Sequence, residues 1–164
     1  MKIRLAQAND EAALIQLITE FRLSLATLRG KVQKLDFAAA RKELDEYLEK
    51  EFPIYLADSE TATIIGYSVC RVEGDVVWVE SLYVVPKYRR KGVGSSLYEE
   101  AERLAQEHGD NTPYNWVDPN NDTIIRFLQK RGYSVLNLIE LRRAQPGEEM
   151  TQKLCVGTHE FDFG

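Results

Sequence analysis

The segment "KIRLA" (2–6) alternates polar and apolar positions, the period of a half-buried strand. The period then changes: Ala13, Leu14, Leu17, Ile18 and Phe21 follow helical spacing behind Asn9 and Asp10, either of which can cap a helix. "RGKVQK" (29–34) interrupts that helix. Asp36 then caps a second one, with Phe37, Ala40, Leu44, Tyr47 and Leu48 on one face. "FPIYLAD" (52–58) and "TIIGYSVCRV" (63–72) predict strands around the polar turn "SETA", and "EGD" (73–75) turns the chain into "VVWVESLYVV" (76–85). A helix from about Val93 to His108 places Val93, Leu97, Ala101, Leu104 and Ala105 on one side, with Gly109 to end it. "YNWVD" (114–118) predicts a short strand and "NDTIIRFLQKRG" (121–132) a helix closed by Gly132. "YSVLNLIELRR" (133–143) and "KLCVGTHEFDF" (153–163) predict two last strands.

The resulting order is β-α-α-β-β-β-α-β-α-β-β. An antiparallel first half followed by a strand–helix–strand crossover implies an α/β (α+β) fold, with a mixed, mostly antiparallel sheet of about seven strands flanked by four helices. No repeat or linker rich in Gly, Ser or Pro divides the chain, so one domain over 1–164 is expected. The 164-residue length is that of one ordinary domain.

Composition narrows the function classes. With 21 Lys and Arg against 26 Asp and Glu, the net charge is −5, and the sequence pI is near 5.2. Such a chain is compatible with cationic substrates, although solubility alone explains the charge as well, and it is poorly suited to general nucleic-acid binding, which needs clustered basic side chains. No apolar run approaches the ~20 residues of a membrane span, and "MKIRLAQAND" turns polar at once, so neither a membrane partner nor a leader is expected. Two His and two Cys give no ligand set for a protein-built zinc site; no metal is expected. Cys70 and Cys155 read as reduced thiols of a cytoplasmic protein.

The stretch "YVVPKYRRKGVGSSLYEE" (83–100) leaves an apolar strand, gathers Lys87, Arg89, Arg90 and Lys91 with Gly92 and Gly94, and opens a helix. The first N–H groups of a helix lack intrahelical partners, and glycine lets them converge on an anion without a Cβ in the way. A P-loop, G-x-x-x-x-G-K-[S/T], is absent. A dinucleotide fingerprint would need a third glycine where Leu97 stands. What remains is R-x-x-G-x-G, or else a basic loop that merely bends into a surface helix.

"SLYVVPKYRRKGVGSSLYEEAERLA" resembles the acetyl-CoA loop of the N-acetyltransferase superfamily known as GNAT, whose wording is close to L-x-V-x-P-x-x-R-x-x-G-x-G. Leu82, Val84, Pro86, Arg89, Gly92 and Gly94 match. A second segment is similar too, through Asn121, Phe127 and Gly132-Tyr133, and the predicted order of elements fits that fold. The resemblance implies that the pyrophosphate of acetyl-CoA sits on Arg89, Arg90, Lys91, Gly92, Val93, Gly94 and Ser95. It further implies that the pantetheine arm runs along Leu82, Tyr83 and Val84, and that Asn121 bonds the arm. A backbone N–H near Val84 would polarise the thioester carbonyl. Asn121 equally reads as a helix N-cap.

The reaction so implied is attack of a primary amine on the thioester. An alkyl ammonium, with a pKa near ~10, must first lose a proton. Glu80 is the candidate base: it stands in an otherwise apolar strand, where burial would raise a carboxyl's pKa, and it matches an acidic position in the diamine and polyamine acetyltransferases. It reads equally as a half-exposed glutamate with a salt-bridge partner. One departure is clear. Where many members carry a tyrosine acid, this chain has Leu128, which favours the alternative of a non-catalytic acyl-CoA sensor; Tyr133 or Tyr83 could substitute, or simply pack in the core. The acceptor is expected to be a small cationic amine, a protein lysine or an N-terminus. The last strand offers a surface for a homodimer.

Overall fold

The computed structural model describes residues 1–163. Its helices are α1 (Glu11–Leu28), α2 (Phe37–Glu49), α3 (Val93–Glu107) and α4 (Asp122–Lys130). Its strands are β1 (Lys2–Leu5), β2 (Ile54–Asp58), β3 (Ile64–Glu73), β4 (Val76–Val84), β5 (Tyr114–Asn115), β6 (Gln152–Val156) and β7 (His159–Phe163). The chain falls into two compact units. One holds residues 1–27 and 31–116; the other holds 28–30 and the chain from Val117 onward.

In the first unit the strands form one sheet in the order β1-β2-β3-β4-β5, antiparallel except for the parallel β4–β5 pair. Both faces are covered, so β2 and β3 are apolar at nearly every position. Ile54 and Leu56 of β2, with Tyr67, Val69 and Tyr83, meet Leu14, Leu17 and Ile18 of α1 and Ala40, Leu44 and Tyr47 of α2. The alternate positions Tyr55, Ala57, Ile65, Cys70 and Val77 meet Val93, Leu97, Ala101, Leu104 and Ala105 of α3. The α3 face agrees with its sequence pattern at all five positions, each buried Val or Leu side chain contributing roughly 1.5–3 kcal/mol and the alanines less. Along α2 the pattern overreached: Phe37 and Leu48 are half exposed.

Cap chemistry sets the helix ends as expected. Asp36 accepts the Ala39 N–H at 2.9 Å, and Gly109 takes φ +87° after α3. Asp10 does a different job. It lies in a short 3-10 turn before α1, where its carboxylate receives the Gln7 N–H and a bidentate pair from Arg4 at 2.6 and 2.9 Å.

The second unit corrects the last two strands. Residues 133–143 form no strand: Val135, Leu136, Leu138, Ile139 and Leu141 have the right composition but find no ladder partner, and stay exposed. Residues 153–163 are not one strand but most of a hairpin, β6–β7. Val156 pairs with His159 across Gly157-Thr158, and Gly157 has φ +61°. Positive φ at the first turn residue alone is the Gly-X signature of a type II′ connection. The count of seven strands holds, but they divide into a five-stranded sheet and this two-stranded hairpin.

Candidate active site

The β3–β4 ladder pairs Val69 with Ser81 and Cys70 with Val79, leaving Glu80 as one extra residue. That is a β-bulge, which bends the strand and re-aims its side chain. Next to the bulge, β5 pairs with β4 only at Trp78 and Val79. From Glu80 onward the β5 side of β4 has no strand beside it among the described residues.

The hydrogen-bond phase of that open edge follows from Val85, whose N–H donates to the Ile65 carbonyl at 3.0 Å. Antiparallel ladders alternate, so Ser81 and Tyr83 bond toward β3 while Leu82 and Val84 point their N–H and C=O groups outward. The Val84 carbonyl is taken by Arg89, whose Nε donates to it at 2.8 Å with the guanidinium 5.5 Å over the Tyr83 ring. Arg89 thus stitches the loop to the strand. The Leu82 and Val84 side chains turn to the α3 core, leaving only their backbone groups for a ligand.

The loop then delivers α3. Arg90 (φ +60°) and Gly92 (φ +83°) both adopt left-handed backbone, and Gly92 is the N-cap with no side chain capping the helix. Ser96 N–H is the first to bond within the helix, to the Gly92 carbonyl at 3.0 Å. The N–H groups of Val93, Gly94 and Ser95 therefore stand at the positive end of the dipole without intrahelical partners. Arg90 and Lys91 are exposed beside them.

Glu80 is half buried and ion-paired: Arg71 Nε lies 3.4 Å from its Oε2. Glu80 is thus the strand glutamate with a salt-bridge partner, and it stands beside the open edge. Tyr83 is a core residue; its hydroxyl donates to Glu20 Oε2 at 3.1 Å, and burial, then the Glu20 carboxylate, push its pKa up to about 12. A polar network that local pattern did not reveal lies on the α1/α2 face. Arg22 Nε donates to Glu43 at 2.7 Å, the Tyr47 hydroxyl donates to Glu43, and Ser81 Oγ lies 3.3 Å from Tyr47. Burial, then the Glu43 bond, raise the Tyr47 pKa. The Tyr67 hydroxyl is fully enclosed with no hydrogen-bond partner. The helix carrying Glu43 reads as a solvated acidic face, and only its packing on β4 reveals this use.

The structure thus gathers Glu80, Leu82, Tyr83, Val84 and residues 89–95 in the first unit, while Asn121 belongs to the second. There Asn121 Oδ1 accepts the Ile124 N–H at 3.3 Å as the N-cap of α4, leaving its amide nitrogen outside that bond, and Leu128 is the buried residue of the helix.

An uncapped helix N-terminus beside a strand edge with free amide groups is chemically matched to an ester-linked diphosphate on an amide-bearing arm. The model of the acetyltransferase (GNAT) family matches residues 20–133. The chain belongs to this family. As a GNAT protein it is an N-acetyltransferase that uses acetyl-CoA, and the free N–H groups of α3 and β4 fit that cosubstrate. Solved structures share the fold. A GNAT acetyltransferase from Staphylococcus aureus Mu50 superposes with TM-score 0.64 at 17% identity, over 80% of this chain and 82% of that one. The aminoglycoside 6′-N-acetyltransferase AAC(6′)-IG from Acinetobacter haemolyticus gives 0.61 at 19% identity, over 91% and 100%. AAC(6′)-Iy, solved with the bisubstrate analogue CoA-S-monomethyl-acetylneamine, gives 0.66 at 19% identity, over 88% and 97%. No helix among the described residues is long and apolar enough to cross a membrane.

Proposed function

We propose that residues 1–164 act as one GNAT domain that moves the acetyl group of acetyl-CoA to a primary amine by direct attack. The observation that carries this reading is the adjacency of the uncapped α3 N-terminus to the β4 edge left open after Val79. In it the N–H groups of Val93, Gly94 and Ser95, with Arg90 and Lys91, hold the diphosphate. The outward backbone groups of Leu82 and the Val84 N–H bond the arm. Acetyl-CoA supplies an activated acyl group. The Val84 N–H donates to its carbonyl oxygen, where a preorganised donor strengthens as negative charge develops. Glu80 takes the proton that the ammonium must lose, directly or through one water, and releases it to solvent. With Leu128 in place of a tyrosine, the thiolate leaves unprotonated, which its pKa near ~8.5 permits.

The aminoglycoside acetyltransferases among the fold's neighbours support a small amine as acceptor; lysine side chains and protein N-termini share the chemistry. The free thiols Cys70 and Cys155 suit a reducing cytoplasm. A homodimer through the β6–β7 hairpin belongs to the same reading, checked by light scattering.

The test is mass-spectrometric detection of acetylated product from acetyl-CoA and a panel of amines, with wild type and Glu80→Gln. Product formation by wild type, and a fall in kcat of at least ~100-fold in Glu80→Gln with acetyl-CoA affinity unchanged, is expected. Unchanged kcat removes Glu80 as base. Acetyl-CoA binding without product from any amine would replace the enzyme by an acyl-CoA sensor.

A further inference from the structure

We infer that the acceptor is a singly charged primary amine carried on a flat-faced ring, which lies against the indoles of Trp116 and Trp78 at the fork where β4 and β5 part. This rests on the acetyl-transfer reading above and narrows its substrate class.

The fork is lined by aromatic rings. Trp78 and Tyr114 are ladder partners with ring centroids 5.3 Å apart, and Trp116, just past the end of β5, packs tilted against Trp78 with centroids 5.0 Å apart. A cluster that only plugged the end of the sheet would bury its rings. Instead Trp116 keeps 63% of its surface exposed, beside the strand edge and the bulge. Indoles bury a large area against a planar or puckered ring at little entropic cost, which makes such a surface a recognition element.

Arg71 sets the charge preference. It stands opposite Trp78 on β3, with its guanidinium carbon 5.4 Å from the Trp78 centroid and 4.8 Å from that of Trp116. The cation position between these indoles is therefore filled by the protein itself. A diamine whose far ammonium reached the indoles would be repelled by the guanidinium, whereas a neutral ring on the exposed side of Trp116 carries no charge for it to repel. Arg71 leaves its other neighbour accessible. Its Nη1 bonds Glu73 at 2.8 Å, but its enclosed Nε makes no hydrogen bond, only the 3.4 Å ion pair to Glu80. Among the described residues that long ion pair is the one polar contact of the Glu80 carboxylate, so a substrate ammonium can hydrogen-bond there while its ring rests on the indoles. Aromatic and sugar rings both meet this description.

The experiment compares phenethylamine, methyl 6-amino-6-deoxyglucoside, n-hexylamine and putrescine as acceptors with saturating acetyl-CoA, alongside calorimetric titration of each amine into the protein. Either ring amine should exceed putrescine at least tenfold in kcat/KM, and the better of the two identifies the ring. Trp116→Ala should raise the ring amine's KM about tenfold with kcat nearly held, Trp116→Phe should restore most of the loss, and Arg71→Met should improve putrescine relative to wild type. Equal or better use of putrescine or n-hexylamine, or an unchanged KM in Trp116→Ala, overturns the inference. No product from any amine overturns the acetyl-transfer reading instead; calorimetric binding of ring amines that Trp116→Ala weakens would still uphold the ring site, and absence of binding would remove it as well.

Discussion

Gly94→Ala separates the fold's need for glycine in the loop from the ligand's need. Gly94 sits in the first turn of α3 with an ordinary helical φ, and an added Cβ would meet only Val84 Cγ2, at 3.7 Å, an ordinary van der Waals contact. Nothing in the fold therefore asks for glycine. Alanine is the better helix former by up to about 1 kcal/mol, so the variant should be as stable as wild type or slightly more so. Acetyl-CoA binding should move the other way. A methyl group beside three converging N–H donors holds a diphosphate off the backbone, and a charge-assisted hydrogen bond contributes about 1.5–3 kcal/mol, so losing one weakens binding roughly 10- to 150-fold. Calorimetric titration with acetyl-CoA and a urea unfolding curve on the same preparation measure both quantities. Affinity within twofold of wild type would refute the placement of the diphosphate on α3. A drop in the unfolding midpoint would refute the packing argument.

Gly66→Ala is the opposite case. Its Cβ would lie 2.8 Å from the Tyr83 carbonyl oxygen and 3.2 Å from Leu97 Cδ1, so β3 must move from β4 or α3. Overpacking of this kind costs about 1–3 kcal/mol, at roughly 2–4 °C of Tm per kcal/mol, and an unchanged melting curve would contradict it. The Arg4–Asp10 pair predicts an acid-sensitive term. Hydrogen bonding from Arg4 holds the Asp10 carboxyl below its ordinary value, so the stability it contributes is fully present above about pH 3.9 and is lost as pH falls through the lower folded pKa. Arg4→Met should cost about 1–3 kcal/mol near neutral pH, and the gap to wild type in urea titrations should close toward pH 2; a gap independent of pH would overturn the assignment. Cys70 is fully buried, and burial pushes its thiol up to about 12 with a smaller push from Glu100, while Cys155 is exposed. A thiol reagent at neutral pH should label one cysteine in the native protein and two in urea; fast native labelling of Cys70 would contradict its burial.

Much of this architecture was legible in the chain because it depends on near neighbours. The helical spacing in α1 and α3, the Asp36 and Asn121 caps, the turn at Gly74 and the glycine-rich entry to α3 are written within a few residues of where they act. The motif Arg89, Gly92, Gly94 pointed to a glycine-rich helix entry, and the structure has an uncapped helix N-terminus at that place. What local pattern could not supply was the partner. Residues 133–143 have a strand's composition, but a strand exists only where a second ladder meets it, and here none does. The Gly157-Thr158 turn hid inside a segment that reads as one strand, and became visible only through the pairing of Val156 with His159. The bulge at Glu80, the Arg71 side chain filling the space between two tryptophans, the Arg22–Glu43–Tyr47–Ser81 network and the outward phase of Leu82 and Val84 all depend on contacts between residues distant in sequence. Periodicity tells a chain which face to bury; only the packed sheet decides which remote side chains meet on that face, and thus which carboxylate stands at an open edge and what stands beside it.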